Sequence, residues 1–312
     1  MSLHERRDFR DLLLTVGERS GAGAAIVEKD YWVTEALRVI SREFGDGVVF
    51  KGGTSLSKGW HLISRFSEDI DLLIRTSDGD SHGQRDRYMK EIDEAVERLP
   101  GLTGAPQGRR SDRGVSRTAA YAYESQAPAL AGLASTISLE MGIRGGPHPI
   151  ERRELDSILA EHLRHSGLEN DELETFQLDL LDYRRTFLEK LFAIHSAATR
   201  HLEGDAGALN RQGRHYYDIY YLLAEDDVVA FAGSDDYRAL AIEIDTLSQA
   251  DFPGQHRAPV ELRFSNSPAL DPGSDIQAAL ALEYERNRFL YYGGFPTFDE
   301  IHARLDRYRE IL

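Results

Sequence analysis

Apolar and acidic residues alternate along the segment 67–74, and this pattern constrains the fold of the chain more than any other. Side chains of a β-strand point alternately to its two faces, so Ile70 and Leu72 would face a core while Asp69 and Asp71 share the opposite face. Two carboxylates that close together repel each other unless a cation or water separates them. The pattern therefore predicts either a cation-binding strand or the solvent-facing side of an amphipathic strand.

A glycine turn lies upstream of this strand. A short buried strand at 48–50 runs into the turn, which opens a helix expected over 56–63. Glycines let the backbone approach a phosphate closely, and the first N–H groups of a helix lack intrahelical partners. The spacing does not fit a P-loop. The candidate phosphate-binding residues are Lys51, Gly52, Gly53, Thr54, Ser55 and Lys58.

A third acidic residue occurs in a later strand, expected over 135–143. Ile137, Leu139 and Met141 alternate there, which leaves Glu140 on the polar face. If this strand lies beside the Asp-x-Asp strand, Glu140 could complete a metal site or act as a general base. An ordinary exposed strand glutamate explains the pattern equally well. Oxygen ligands of this kind suit Mg²⁺.

Composition limits the chemistry further. The chain has 312 residues, 41% of them hydrophobic, which is enough for one large domain or two ordinary ones. It has no cysteine, so disulfides, thiol nucleophiles and cysteine-bound zinc are excluded. The net charge of −16 argues against indiscriminate affinity for nucleic acid but allows a local basic site. No apolar run approaches the roughly 20 residues that cross a bilayer, and the start MSLHERRDF is charged, so we expect a cytoplasmic protein without membrane contact.

The order of predicted elements indicates an α+β protein. Strands and helices mix in the first half, which predicts a small mixed sheet flanked by helices over 1–148, and helices dominate 149–312. The stretch 252–274 is expected to be a long surface loop. The later helices are expected over 151–165, 172–202, 213–224, 235–248 and 275–290.

Several motifs together resemble a known family. The glycine turn followed by Asp-hydrophobic-Asp is similar to the signature of the DNA polymerase β-like nucleotidyltransferase superfamily. A closer resemblance is to the AbiEii family, which comprises nucleotidyltransferase toxins of bacterial toxin–antitoxin pairs and includes the mycobacterial MenT proteins. The motifs that carry this resemblance are EKDYWV at 28–33, FKGGTSLSK at 50–58, RFSEDIDL at 65–72, RHYYDIY at 214–220 and YYGGFPTF at 291–298.

The resemblance implies an NTP-using enzyme with an α/β nucleotidyltransferase domain. Ser67, Asp69, Lys190 and Asp218 occupy the family's functional positions, and Asp69 with Asp71 would hold Mg²⁺. Lys190 would contact the triphosphate, and Asp218 would support the site. The resemblance also implies an RNA acceptor, with tRNA nucleotidylation as the activity of the MenT branch, and a cognate antitoxin as partner.

From the residues alone, Lys190 could instead be a lysine whose stem packs beside the core, and Asp218 could form a salt bridge within its own helix. Two other functions remain open. The first is nucleotidyl transfer to a small molecule or a protein hydroxyl, which the acidic composition slightly favours. The second is a catalytically silent protein that binds NTP or a partner.

Overall fold

The computed structural model describes residues 1–67, 69–77, 79–105, 108–271 and 275–312. The chain divides into two compact units. Unit 1 comprises Met1–Leu181 and Tyr291–Gly293, and unit 2 comprises Asp182–Leu290 and Gly294–Leu312. The boundary predicted between 148 and 149 falls inside unit 1, because two strands that follow it belong to the sheet of that unit.

The described part of unit 1 contains a single mixed sheet. Its strands are β1 (Val48–Lys51), β2 (Asp69–Ile74), β3 (Leu102–Gly104), β4 (Arg110–Asp112), β5 (Ser116–Tyr123), β6 (Thr136–Gly142), β7 (Ile150–Leu155) and β8 (Phe176–Leu181). Their order is β3-β5-β6-β2-β1-β8-β7, and β4 pairs with β5. β2 pairs antiparallel with β1 and parallel with β6, so the two neighbours of the acidic strand come from both sides of it in sequence.

Five α-helices in the described part of unit 1 accompany this sheet. They are α1 (Phe9–Ser20), α2 (Ala24–Phe44), α3 (Gly52–Lys58), α4 (His82–Glu97) and α5 (Ile158–Leu163). Of these, α2, α3 and α4 contact its strands directly. Residues on nearly every side of α2 are buried, because this helix contacts β6 and β8 as well as α1, α4 and α5. α2 therefore forms an apolar layer against β6 and β8, the strands that flank β2 and β1 in the sheet.

The two faces of β2 differ along its length. Ile70 and Leu72 are fully or almost fully buried, as the alternation predicts. On the other face, Leu73 packs with Val49 and Leu181 in a small apolar cluster. That face is apolar at one end of β2 and carries Asp69 and Asp71 at the other end, so the acidic residues lie at the border of a core.

Two helix predictions are wrong in part. The segment expected as a helix over 151–165 begins as β7 and becomes helical only in α5, and the segment expected as a helix over 172–202 begins as β8. The charged sequence of β7 fits a helix surface as well as an edge strand, and β7 is the outermost strand on its side of the sheet. The predicted helix over 56–63 in fact starts earlier, as α3.

The described residues of unit 2 form helices joined by turns and loops, and none of them belongs to a strand. Its helices are α6 (Tyr183–Leu202), α7 (Gly213–Leu222), α8 (Asp226–Ala232), α9 (Asp235–Asp251), α10 (Asp275–Arg286) and α11 (Phe298–Tyr308). α7 lies at the centre of this unit and packs against α6, α10 and α11. The predicted α+β class, a mixed sheet with many helices, is confirmed. None of the helices in the described ranges has the length and apolar character needed to cross a membrane. Within the predicted loop 252–274, short 3₁₀ turns occur at Val260–Leu262 and Pro268–Leu270, and residues 272–274 lie outside the described residues.

Candidate functional site

The acidic strand brings polar residues of three strands together on one face of the sheet. Asp71 is the register partner of Lys51 in β1 and of Glu140 in β6. Register partners project to the same face, so Asp69 and Asp71 share that face with Lys51 and Glu140. A role for Glu140 in the site requires that β6 lie beside β2. The structure satisfies this condition, because the two strands pair directly.

The glycine turn lies directly against this polar face. Gly52 has a φ of +79°, a left-handed conformation that glycine adopts without steric cost. A Cβ on Gly52 would overlap the carboxylate of Asp71, and one on Gly53 would overlap the guanidinium of Arg65. The left-handed backbone therefore requires glycine at Gly52, and the two glycines together leave space for one acidic and one basic side chain at the start of α3.

The hydroxyl groups of the turn hold it in shape. Thr54 Oγ1 donates a hydrogen bond of 2.5 Å to the carbonyl oxygen of Asp69, and Ser55 Oγ donates one of 2.9 Å to the carbonyl oxygen of Gly52. Both residues are buried. The Thr54 bond fixes α3 to the first residue of β2, and the Ser55 bond closes the first turn of α3, so together they stabilise the spacing between the turn and the carboxylates. The predicted contact of Thr54 and Ser55 with a nucleotide stays a prediction.

Lys58 is engaged in a buried ion pair. Its Nζ lies 2.5 Å from Asp30 Oδ1 and donates to the carbonyl oxygen of Asp156 at 3.1 Å. The other oxygen of Asp30 accepts from the backbone N–H of Ile158 at 2.8 Å. These bonds tie α3 to α2 and to the start of α5. The predicted role of Lys58 in orienting phosphates stays a prediction, and the geometry gives the lysine a structural role in addition.

Lys190 and Asp218 form the corresponding pair of unit 2. Lys190 Nζ lies 2.8 Å from Asp218 Oδ2 and 3.4 Å from His215 Nδ1. The side chain of Asp218 is fully buried and that of Lys190 is 7% exposed. The structure thus brings together two residues that the family resemblance assigns to the site. It joins α6 to α7 through them, so both residues also stabilise unit 2.

The carboxylates on β2 suit a metal site that is completed by substrate and water better than a site built from protein ligands alone. Across the described ranges, no group of three or more His, Cys, Asp or Glu side chains is placed to hold a metal ion. Mg²⁺ in nucleotide-using proteins is commonly held by one or two carboxylates, with phosphate oxygens and water completing the shell. Asp69 and Asp71 supply that donor set, and Gly52 leaves room for the Asp71 carboxylate beside the turn. Glu140 as a third ligand stays a prediction.

Two features escaped the sequence analysis. Arg65 received no role, although it is 2% exposed and its guanidinium lies over Gly53. The segment Tyr291–Gly293 returns to unit 1, where the N–H groups of Tyr292 and Gly293 both donate to the carbonyl oxygen of Ser64. A Cβ on Gly293 would overlap Ser64. The resemblance of YYGGFPTF at 291–298 to the family marks this segment in the sequence. It does not indicate that the segment packs against Ser64, which is distant in sequence.

Comparison with protein families defines the class of this protein as a nucleotidyltransferase. A family model described as "Nucleotidyl transferase AbiEii toxin, Type IV TA system" matches residues 36–303. The chain belongs to the AbiEii family of nucleotidyltransferase toxins, and the family predicted from its motifs is confirmed. Membership implies NTP as the substrate and an antitoxin as the partner within a type IV toxin–antitoxin system.

The other comparisons concern individual proteins. No curated protein matches the chain. Among solved structures, the chain is similar to MenT4, a nucleotidyltransferase toxin from Mycobacterium tuberculosis H37Rv. The two are 18% identical, the alignment covers 96% of each chain, and the TM-score is 0.49.

Proposed function

We propose that this toxin transfers a nucleotide from an NTP to an RNA acceptor, with tRNA as the first candidate, in a reaction that depends on Mg²⁺. The observation that carries the proposal is the position of Asp69 and Asp71 beside the glycine turn, with Lys51 and Glu140 in register with Asp71. A phosphate site beside two carboxylates is the arrangement that phosphoryl transfer requires. The RNA acceptor follows from the resemblance to the family, and the cytoplasmic location that such an acceptor requires belongs to the same proposal.

Different residues of the chain bind the phosphates of the NTP and the metal ion. The N–H groups at the start of α3 bind the phosphates of the NTP where Gly52 and Gly53 permit close approach, and Lys51 supplies positive charge beside them. Asp69 and Asp71 hold the metal ion. When bound, Mg²⁺ neutralises negative charge that develops on the transferred phosphoryl group and its leaving group.

The reaction is an in-line displacement. A hydroxyl oxygen of the acceptor forms a bond to the α-phosphorus, the bond from that phosphorus to the bridging oxygen breaks, and pyrophosphate leaves with the bonding electrons. The hydroxyl proton passes to a carboxylate. We assign this proton to Glu140, because it lies beside Asp71 in register and no three-carboxylate metal group occurs in the described ranges. Lys190 contacts the triphosphate in this proposal, and Asp218 holds its ammonium in place.

A labelling experiment tests the proposal. Purified protein is incubated with each labelled NTP and total tRNA, in Mg²⁺ and in excess chelator. Label is expected on RNA in Mg²⁺ only, with loss in Asp69→Asn, which keeps the shape of the side chain and removes its charge. Asp112→Asn, an exposed residue of β4, is the matched control and should retain transfer.

Absence of label on RNA would contradict the proposal. Label on a small molecule or on a protein would instead support the second class of acceptor considered for this sequence. Mg²⁺-dependent NTP binding without transfer to any acceptor would indicate a silent binding protein.

A further inference from the structure

A cavity of about 350 Å³ lies in unit 1 beside the glycine turn. Thr54 and Ser67 contribute to its wall, so it borders the candidate site on the side of α3 and of the segment that leads into β2. Its described lining includes neither Asp69 nor Asp71. The cavity is thus a neighbour of the carboxylate strand and has room for a group other than the one that those carboxylates hold.

The charges around the cavity favour an anion. Two of the acids that line it are already paired: Asp30 with Lys58 at 2.5 Å, and Asp156 with Arg164, also at 2.5 Å. The third lining acid, Glu161, is exposed, and the lining carries the two arginines Arg19 and Arg65 against it. Arg19 is exposed at the end of α1 and makes no ion pair within the described ranges. Its guanidinium can therefore bind a phosphate without first breaking a bond inside the protein.

Two histidines add donors to the same wall. His61 and His162 both line the cavity. His61 has a φ of +55°, which is unusual for a residue with a side chain. Such strained conformations persist where the surrounding structure holds them, and they occur often at binding sites. The neighbouring Trp60 is fixed by a hydrogen bond from its indole N–H to the carbonyl oxygen of Leu181, which holds this bend of the chain in position.

Aromatic rings face the cavity beside these cations. Phe66 precedes Ser67, and Tyr292 arrives from the segment that hydrogen-bonds to Ser64. Burial raises the pKa of Tyr292, with the charges of Asp30 and Glu161 contributing, so its hydroxyl stays protonated as a donor. Proteins that bind single-stranded nucleic acid combine positive groups for the backbone with aromatic rings for the bases.

The net charge of the chain limits where RNA can bind. A protein with a formal charge of −16 repels a polyanion over most of its surface, so RNA binding requires a local cationic site. We propose that the cavity lined by Arg19, His61, Arg65, His162, Phe66 and Tyr292 binds a backbone phosphate and a base of the acceptor RNA, next to the reacting hydroxyl. This inference rests on the proposed function, because it names the place where that acceptor is held.

The triphosphate of the NTP is the other source of the same phosphate chemistry, and steady-state kinetics separate the two. Transfer is measured for the wild type and for Arg19→Glu while RNA and NTP concentrations are varied independently. Arg19→Glu is expected to raise the KM for RNA about tenfold and to leave the KM for NTP within about twofold, with the salt dependence of RNA binding reduced by about one phosphate contact. Arg10→Glu, an exposed arginine of the same helix outside the cavity lining, is the matched control.

Thermal unfolding of each variant is measured to check that it is folded. Arg19→Lys keeps the positive charge and should retain most of the RNA affinity of the wild type. A KM for RNA that rises equally in Arg19→Glu and Arg10→Glu would overturn the proposal, because it would reflect net charge alone. A KM that rises for NTP and not for RNA would also overturn it, since the cavity would then hold the triphosphate.

Direct binding keeps this test independent of the proposed function. Fluorescence anisotropy of a labelled single-stranded RNA oligonucleotide is measured without NTP. If the wild type transfers no label to RNA, the proposed function fails, yet weaker binding of the oligonucleotide by Arg19→Glu alone would still support the cavity as an RNA site. Equal binding by wild type and Arg19→Glu, or no binding by the wild type, would overturn it.

Discussion

The two units hold their charged candidate residues in different ways. In unit 1, Asp69 and Asp71 are half-buried on a sheet face, and Gly52 of the neighbouring turn lies close to the Asp71 carboxylate. In unit 2, Lys190 and Asp218 are buried and lie 2.8 Å apart. Half-buried carboxylates can meet a substrate, whereas each member of a buried pair neutralises the other. A lost activity therefore means different things at the two places, because a substitution of Lys190 or Asp218 also removes the partner of a buried charge, whereas a substitution of Asp69 or Asp71 does not break a buried pair of this kind.

The largest loss of stability is expected from breaking the pair of unit 2. Lys190→Met should lower the free energy of unfolding by about 3–5 kcal/mol, since it leaves Asp218 buried without its cation. The double variant Lys190→Met with Asp218→Leu should recover most of this loss. Urea unfolding of the single and double variants measures both quantities.

A matched exposed pair serves as the control for this experiment. Lys90 and Glu94 lie 3.5 Å apart on α4, and both are largely exposed. Lys90→Met should cost no more than about 0.5 kcal/mol. If Lys190→Met costs equally little, the contrast between the units is wrong. If the stable double variant also transfers nucleotide normally, Lys190 does not contact the triphosphate.

Lys58 tests whether the contrast follows the unit or the burial. Lys58→Met removes a cation from a pair that is as buried as that of unit 2, so we expect a loss of about 2–4 kcal/mol in the free energy of unfolding. After the substitution, Asp30 keeps its hydrogen bond from the backbone N–H of Ile158. Measured on the folded fraction, the KM for NTP should change less than in Lys190→Met. The opposite order would make Lys58 the lysine that binds phosphate.

Glu35 is a buried acid of unit 1 whose charge is only partly offset by its ion pair with Arg38. Burial raises the pKa of Glu35 to about 7, against the opposing effect of Arg38. In the unfolded chain the group ionises near 4.5, so the folded protein binds more protons between these pH values and its stability falls as the pH rises through them. The expected loss is about 3.5 kcal/mol, at about 1.4 kcal/mol for each pKa unit.

Urea unfolding from pH 4.5 to pH 8 measures this dependence. Glu35→Gln should flatten the profile, whereas Glu91→Gln, at an exposed position of α4, should leave it unchanged. A profile that rises with pH in the Glu35 window and loses that rise in Glu35→Gln would mean that Arg38 outweighs burial.

A substitution of Gly52 is expected to have the smallest effect on stability. It tests whether the site of unit 1 can lose activity while the fold stays stable. Gly52→Ala should cost about 1–2 kcal/mol for the left-handed backbone and reduce transfer about 100-fold, because the new methyl group displaces the Asp71 carboxylate. Gly167 is the matched control, since its φ is +81° and a Cβ there meets nothing. Gly167→Ala should show a similar loss of stability with normal transfer. Equal activity of the two variants would show that the contact with Asp71 is unimportant.

Local patterns in the sequence predicted the carboxylate strand and the turn, because both depend on neighbouring residues. Alternation placed Asp69 and Asp71 on one face, and the paired glycines marked the turn. Pairing between distant strands could not be predicted in this way. Glu140 meets Asp71 because β6 lies parallel to β2, and nothing within β6 specifies that neighbour.

The errors have the same origin. β8 joins β1 through a parallel pairing at Phe50 and Leu180, and that distant partner decides that the leucine-rich segment is extended. The pairing of Lys190 with Asp218 likewise depends on how α6 packs against α7, whereas the sequence indicated only a salt bridge within one helix.

Divalent-cation binding tests directly whether Asp69 and Asp71 hold a metal ion. Titration of Mn²⁺ in the presence of a non-hydrolysable NTP, followed by electron paramagnetic resonance, reports the metal without requiring an acceptor. We expect tight binding by the wild type and by Asp112→Asn, and binding weaker by about tenfold or more in Asp69→Asn and Asp71→Asn. Equal affinity in all four proteins would show that the two aspartates of β2 do not hold the metal.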